Sequence, residues 1–266
     1  MRNISCIIIN ADDFGKNEGV NSAIIHCFEN GLCSSATIMP NMPGFEEASE
    51  LLHAYDLTDH VGLHLTLTEG RSVTERIRSF ARFCDNDGRF RLSRKERVIR
   101  LDLSEKEALK EEIDGQIIKC RKYGIPITHL DSHSHVHEEW GVTSLVIEAA
   151  HKANIPHVRL CKNFGLGTSP MKQLYRCISN IRLRKAGLAA TRYFGDPDDY
   201  KLFCQRYGTM KGARASWEVM IHPIFNTDQR LMDGWLSRPL ENVIQTLQGY
   251  ETAVSYTYHR YRHRAG

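Results

Sequence analysis

Apolar and polar positions alternate along this chain with two different periods. Residues 5–10 form a short apolar run, which predicts a buried strand. Residues 17–30 carry Val20, Ile24 and Phe28 at helical spacing, and Gly31 stands where a helix-ending glycine belongs. Residues 35–39 and 61–67 predict further strands, with a helix over 43–53 between them. Residues 70–100 are polar and basic, with a turn at Asn86-Asp87-Gly88, and read as an excursion rather than a core element. A helix is expected over 104–123, opened by a Ser104/Glu107 capping box and carrying Leu109, Ile113 and Ile117 on one face. Then come a strand over 125–131, a helix over 142–153 and a strand over 157–160. Residues 163–214 are harder to read, with helices expected over 171–185 and from Asp196-Pro197 onward. A late strand over 217–221 and a helix over 239–249 complete the pattern. Strands alternating with helices predict an α/β fold with a parallel sheet under helical cover. No repeat, low-complexity tract or linker divides residues 1–266, so one domain is expected.

Composition narrows the class. The 266 residues are 41% hydrophobic and 25% charged, as in ordinary globular proteins. The net charge of +3 is too small to argue for a nucleic-acid partner. Much of the excess sits in the basic tail, about 259–266, which reads as a solvated terminus. The eight cysteines show no CxxC pair and no regular spacing, so they read as free thiols and small core residues. No stretch reaches the roughly 18 apolar residues of a membrane helix, and no secretory pattern opens the chain. A cytoplasmic protein without membrane contact is expected.

The chemistry concentrates at predicted strand ends. Asn10-Ala11-Asp12-Asp13-Phe14-Gly15 follows the first strand, Gly62-Leu63-His64-Leu65-Thr66 lies on the third, and His129 to His137 ends the strand that begins at Ile125. His222-Pro223 ends the late strand. Ligands of parallel α/β folds bind at the carboxyl ends of strands, so these four places can converge.

Adjacent carboxylates such as Asp12 and Asp13 often cap a helix or sit in a solvated turn. In a functional reading one stays ionised as a metal ligand and the other acts as general base, with Gly15 supplying the sharp turn. His129, Asp131, His133, His135 and His137 share one parity and would share a face in an extended segment. Alternate residues lie about 6.6 Å apart along a strand, too far for all these rings to bind one ion. One or two bind, and the others orient ligands or contact substrate. His64 and His222 alone are weak signals that gain weight from their positions. One Asp and two His leave coordination positions open, as a catalytic site requires. Zn2+, Mn2+, Co2+, Ni2+ and Mg2+ all suit that donor set. Arg159, on the strand after the histidine run, could pair with a site carboxylate, with a substrate phosphate, or in a surface salt bridge.

These motifs, ordered from residue 7 to about 225, resemble the YdjC-like carbohydrate deacetylases, whose members include chitooligosaccharide deacetylases. The resemblance implies a distorted (β/α) barrel of parallel strands with its site at the strand C-terminal ends. It implies one divalent metal ion, Mg2+ or Zn2+ first, on Asp13, His64 and His133. Asp12 matches the base, and His222 matches the histidine across the site, placed to protonate the leaving amine. Asp131 with His135 or His137 would hold neighbouring rings or sugar hydroxyls, and Arg159 is a further substrate-binding or supporting candidate. The implied reaction is removal of acetyl groups from N-acetylated sugars, such as diacetylchitobiose or its 6-phosphate, by a cytoplasmic homodimer. Competing readings are a metal-dependent phosphoesterase or sugar isomerase on a similar barrel, and a non-catalytic sugar-binding protein.

Overall fold

The structure is a computed structural model that describes residues 6–92, 98, 100–164, 169–207, 216–247, 252–253 and 255–256. The basic tail at 259–266 lies outside the described residues, as do the ends of several expected segments.

The first apolar run continues further than its hydrophobicity suggests. β1 spans Cys6–Phe14 and so includes both acidic residues. β2 (Ser35–Ile38), β3 (Val61–Leu65), β4 (Leu130–Ser132), β5 (Tyr193–Gly195) and β6 (Ser216–Ile221) join it in the order β4-β3-β2-β1-β6-β5, all parallel. Their residues are mostly buried on both faces, as in sheets covered by crossover helices. The wall continues past β4 through single bridges, Leu130 with Val158 and His157 with Ala189. Phe194 and Asn163 then bond to each other, bringing the segment back to β5. The sheet is thereby curled into a distorted (β/α) barrel.

The helices are α1 (Glu18–Glu29), α2 (Phe45–Ala54), α3 (Leu103–Lys122), α4 (Trp140–Lys152), α5 (Pro170–Lys185), α6 (Pro197–Tyr207) and α7 (Leu240–Gln245). α1 opens with Asn17 accepting the Val20 N–H at 3.0 Å, and Gly31, at φ 65°, follows its last turn.

Several expectations are corrected. The cap of α3 is Asp102 with Glu105, not Ser104 with Glu107. The Asp102 carboxylate accepts the Glu105 N–H at 2.8 Å, a charge-assisted bond at the positive end of the helix, while Glu107 is drawn to Arg76. The strand expected over 125–131 is confined to β4 because Ile127 takes a left-handed φ of 56°. In the strand expected over 157–160, His157 and Val158 form single bridges and no full strand develops. Residues 70–92 are more than an excursion, since they bury Ile77, Phe83, Cys84, Phe90 and Leu92 in the main core. Buried Glu112 of α3 anchors that segment by accepting the N–H groups of Val73 and Thr74. β5 was not anticipated. Neither was a small antiparallel sheet of β7 (Pro223–Phe225), β8 (Leu231–Asp233) and β9 (Arg238–Pro239), which stands directly after β6. Five cysteines are buried, as small core residues should be.

Candidate metal and catalytic site

β1, β3, β4 and β6 deliver residues from their carboxyl ends, Asp12 and Asp13, His64, Ser132 and Met220, to a common cavity of about 580 Å³. Two adjacent residues of a regular strand point to opposite faces. Asp12 and Asp13 nevertheless both line this cavity, because the β1–β2 register shifts between Ala11 and Phe14. Asp13 itself takes φ 72°, a left-handed conformation costly for a non-glycine residue and common where function demands it. Gly15 completes the turn at φ 86°, and the side chain of buried Asn21 accepts its N–H at 2.7 Å.

Asp13, His64 and His133 offer donor atoms that all lie within 4.8 Å of one another. Asp13 Oδ1 is 3.2 Å from His64 Nε2 and 2.8 Å from His133 Nδ1. The other nitrogen of His64, Nδ1, is 2.7 Å from Asp131 Oδ1. That carboxylate fixes the ring and leaves Nε2 aimed at Asp13, the arrangement in which histidines are held for metals. Burial works against a charged His64, but Asp131 and Asp13 on either side raise its pKa to about 10. The carboxylates thus create a place that favours positive charge, on a proton or on a cation. Burial also pushes the Asp13 carboxyl up, and hydrogen bonds from His133 and His64 carry it well below its ordinary value. A divalent cation fits this set of one oxygen and two nitrogen donors.

Arg159 is fully buried, which removes the surface salt bridge from consideration. Its Nη1 and Nη2 each lie 2.7 Å from one oxygen of Asp12, and Nη1 is also 2.6 Å from Asp131 Oδ2. Nε reaches Glu218, whose other oxygen accepts the Tyr256 hydroxyl. Burial raises the Asp12 carboxyl, and the Arg159 guanidinium more than offsets it, holding the group well below the usual carboxylate range. Asp12, His64 and Asp131 form a second set of close donors. Arg159 already occupies oxygens of both of its carboxylates, and a second cation there would lie against the guanidinium, so this second set does not offer a second cation position. Asn10 Nδ2 donates to Asp12 Oδ1 at 2.8 Å, and Thr37 donates to Asp131 at 3.1 Å.

The histidine run divides at Ser132. β4 ends there, and Ser134 and His135 take φ values of 56° and 57°, so the shared parity is lost. His133 and His135 still line the cavity. His137 turns inward, with Nδ1 2.5 Å from Ser132 Oγ, and does not line it. His129 is also interior, stacked on Tyr256 with ring centroids 3.7 Å apart. Gly62 makes room for it: a Cβ there would lie 2.5 Å from His129 Nδ1. His222 lies across the cavity with Nε2 3.9 Å from Asp12 Oδ2.

Two residues absent from the sequence-based set belong here. Lys16 donates to Asp13 at 3.4 Å and to Glu69 at 3.0 Å, and Glu69 is 3.2 Å from His133 Nε2. The His133 and Lys16 contacts hold the Glu69 carboxyl at about 2. Their only signal in the sequence is proximity to the Asp13 and His64 motifs.

The profile of the family described as YdjC-like protein matches residues 6–263. The chain belongs to the YdjC-like family. A carbohydrate deacetylase of Halalkalibacterium halodurans is 30% identical over 219 residues, covering 82% of this chain and 85% of that protein. One from Brevibacillus brevis is 35% identical over 150 residues, and one from Thermoanaerobacter pseudethanolicus 36% over 154. These two matches span 57% and 58% of the relatives' lengths. A solved structure from Enterococcus faecalis, provisionally named for cellobiose-phosphate cleavage, superposes with a TM-score of 0.71 at 23% identity, over 96% of this chain and 98% of that one. That likeness shows that the two chains share a fold.

Proposed function

We propose that this YdjC-like protein is a metal-dependent carbohydrate deacetylase that removes acetyl groups from N-acetylated sugars, chitooligosaccharides such as diacetylchitobiose or its 6-phosphate foremost. The observation that carries the reading is the meeting of Asp13, His64 and His133 beside an arginine-held Asp12, with His222 across the same cavity. The family relatives named carbohydrate deacetylase support it.

Asp13, His64 and His133 would hold the cation, Mg2+ or Zn2+, with Mn2+, Co2+ and Ni2+ compatible with the same donors. When bound, such an ion polarises an acetamide carbonyl and raises the acidity of water. Asp12 takes the proton of the attacking water. Arg159 keeps it ionised and fixes both oxygens; this lowers its intrinsic basicity, so its contribution as base rests on orientation and on the acidity of the water. His222 gives a proton to the nitrogen of the departing amine as the C–N bond breaks. Asp131 orients His64, and His135 lines the cavity where sugar hydroxyls would sit. The same reading takes residues 1–266 as one domain, because one main apolar cluster joins residues from Ile7 to Leu247.

A two-metal phosphoesterase is disfavoured, since the Arg159 guanidinium already binds both carboxylates of the second donor set. Acetate release from diacetylchitobiose, assayed with and without chelator, tests the proposal. Release that disappears with chelator and returns with added metal is expected. No release under any metal would end the deacetylase reading, and release indifferent to chelator would end the metal's part in it.

A further inference from the structure

The cavity over Asp12 and Asp13 continues into a second one of about 260 Å³. The two share Ser134, His135, Met220 and Trp235 as walls. Trp235 sits in the turn between β8 and β9 and is 52% exposed, unusual for so large an apolar side chain in a cavity wall. Its ring centroid lies 6.2 Å from that of His222, tilted by 35°.

Its backbone is firmly placed. The buried Asp233 carboxylate accepts the His222 N–H at 3.0 Å through Oδ2, and the Trp235 and Leu236 N–H groups at 3.0 and 2.8 Å through Oδ1. The Gly234 N–H donates to the His222 carbonyl at 2.7 Å. One buried side chain therefore ties the backbone of His222 to that of an exposed indole. An indole face attracts the polarised C–H groups of a sugar ring and excludes water from it.

The second cavity is lined by Lys162, Lys172 and Arg176 and equally by Glu138, Glu139 and Asp196. Lys162 pairs with Asp196 at 2.8 Å and Arg176 with Glu138 at 3.5 Å. Charges balanced in this way offer hydrogen bonds to hydroxyls without a net pull on an anion.

We propose that Trp235 is the platform for a second, uncharged sugar ring, so that the site takes a neutral disaccharide unit whose acetamide end lies at Asp12 and His222 and whose other ring extends into the second cavity. This rests on the deacetylase reading for its substrate class and goes beyond it in naming Trp235 as the residue that reads the second ring and in narrowing the substrate to the form without a phosphate.

Calorimetric titration of N-acetylglucosamine and diacetylchitobiose into Asp12→Asn protein, alone and combined with Trp235→Ala or Trp235→Phe, tests it. The expected result is disaccharide binding about tenfold tighter than monosaccharide, lost in Trp235→Ala and recovered within about threefold in Trp235→Phe. The 6-phosphate should bind no more tightly than the plain disaccharide. Equal affinity for one and two rings, an unchanged affinity in Trp235→Ala, tighter binding of the phosphate, or binding of no sugar would each overturn the proposal. Acetate release by the unsubstituted protein is scored separately, so a failed deacetylase reading leaves this comparison decisive.

Discussion

Arg159 grips Asp12 through both carboxylate oxygens, at 2.7 Å each, in the fully buried centre of the barrel mouth. The same guanidinium reaches Asp131 and Glu218, so one cation organises three carboxylates from β1, β4 and β6. Lysine keeps the charge but cannot offer a planar fork. Arg159→Lys should therefore destabilise the fold by about 3 kcal/mol, the lower end for breaking a buried ion pair. It should also reduce deacetylation by about a hundredfold, because Asp12 loses its fixed orientation. Urea unfolding and acetate release measure the two effects. Unchanged stability would mean that water or Tyr256 replaces the lost bonds.

Asp13, His64 and His133 should each be needed for metal. The unsubstituted protein is expected to hold about one divalent ion per chain, and Asp13→Asn, His64→Ala and His133→Ala to hold almost none after dialysis, as elemental analysis would show. Asp131→Asn should weaken metal binding by about 10- to 100-fold without abolishing it, since it removes the charged acceptor that fixes His64 while leaving the three ligands themselves in place. Full metal content in His133→Ala would transfer the third ligand to His135.

How far the site could be read from sequence depends on which interactions leave a local trace. Asp12, Asp13, His64 and His222 were legible because strand ends of a parallel sheet converge, and strands are found from their apolar runs. The bulge that turns both acidic residues inward was not, because it depends on register with β2. The parity argument for the histidine run failed at Ser134 and His135, whose left-handed backbone nothing in their residue types announces. Arg159 stayed ambiguous because its partners are 147, 28 and 59 positions away in the chain and only folding shows its burial. Trp235 was missed because strands of two or three residues carry no measurable period.

Glycine at position 62 should be indispensable, in contrast to Gly31. An added Cβ at Gly62 would meet the His129 ring and carbonyl at 2.5 Å, and backbone on the wall of a barrel cannot easily yield. Gly31, at φ 65°, has nothing within 4 Å of an added Cβ. Gly31→Ala should cost about 1 kcal/mol from its backbone conformation alone. Gly62→Ala should cost about 3 kcal/mol or more through overpacking. Paired denaturant titrations decide the matter, and equal costs would show that His129 can move aside.

Acid should unfold the protein partly through its interior histidines. Burial, reinforced by the charge of Arg159, lowers His137 to about 3 and carries His129 well below its ordinary value. The His137 ring is therefore neutral in the folded state at pH 5 and the His129 ring resists its proton in the same direction, whereas in the unfolded chain both protonate near 6.5. Below pH 6.5 the unfolded state binds more protons, so stability falls as pH falls, approaching about 1.4 kcal/mol per pH unit for His137 well below 6.5. For His137 the loss continues down to its folded value of about 3, and above pH 6.5 neither ring contributes. His137→Gln removes one titrating ring, with a side chain of similar reach to Ser132. Between pH 6.5 and 5 its unfolding free energy should fall less steeply than that of the unsubstituted protein by about 1 kcal/mol per unit. Comparing the two slopes cancels the acid loss of metal, which both chains share. Parallel slopes would show that His137 gains its proton in the folded state as readily as in the unfolded chain.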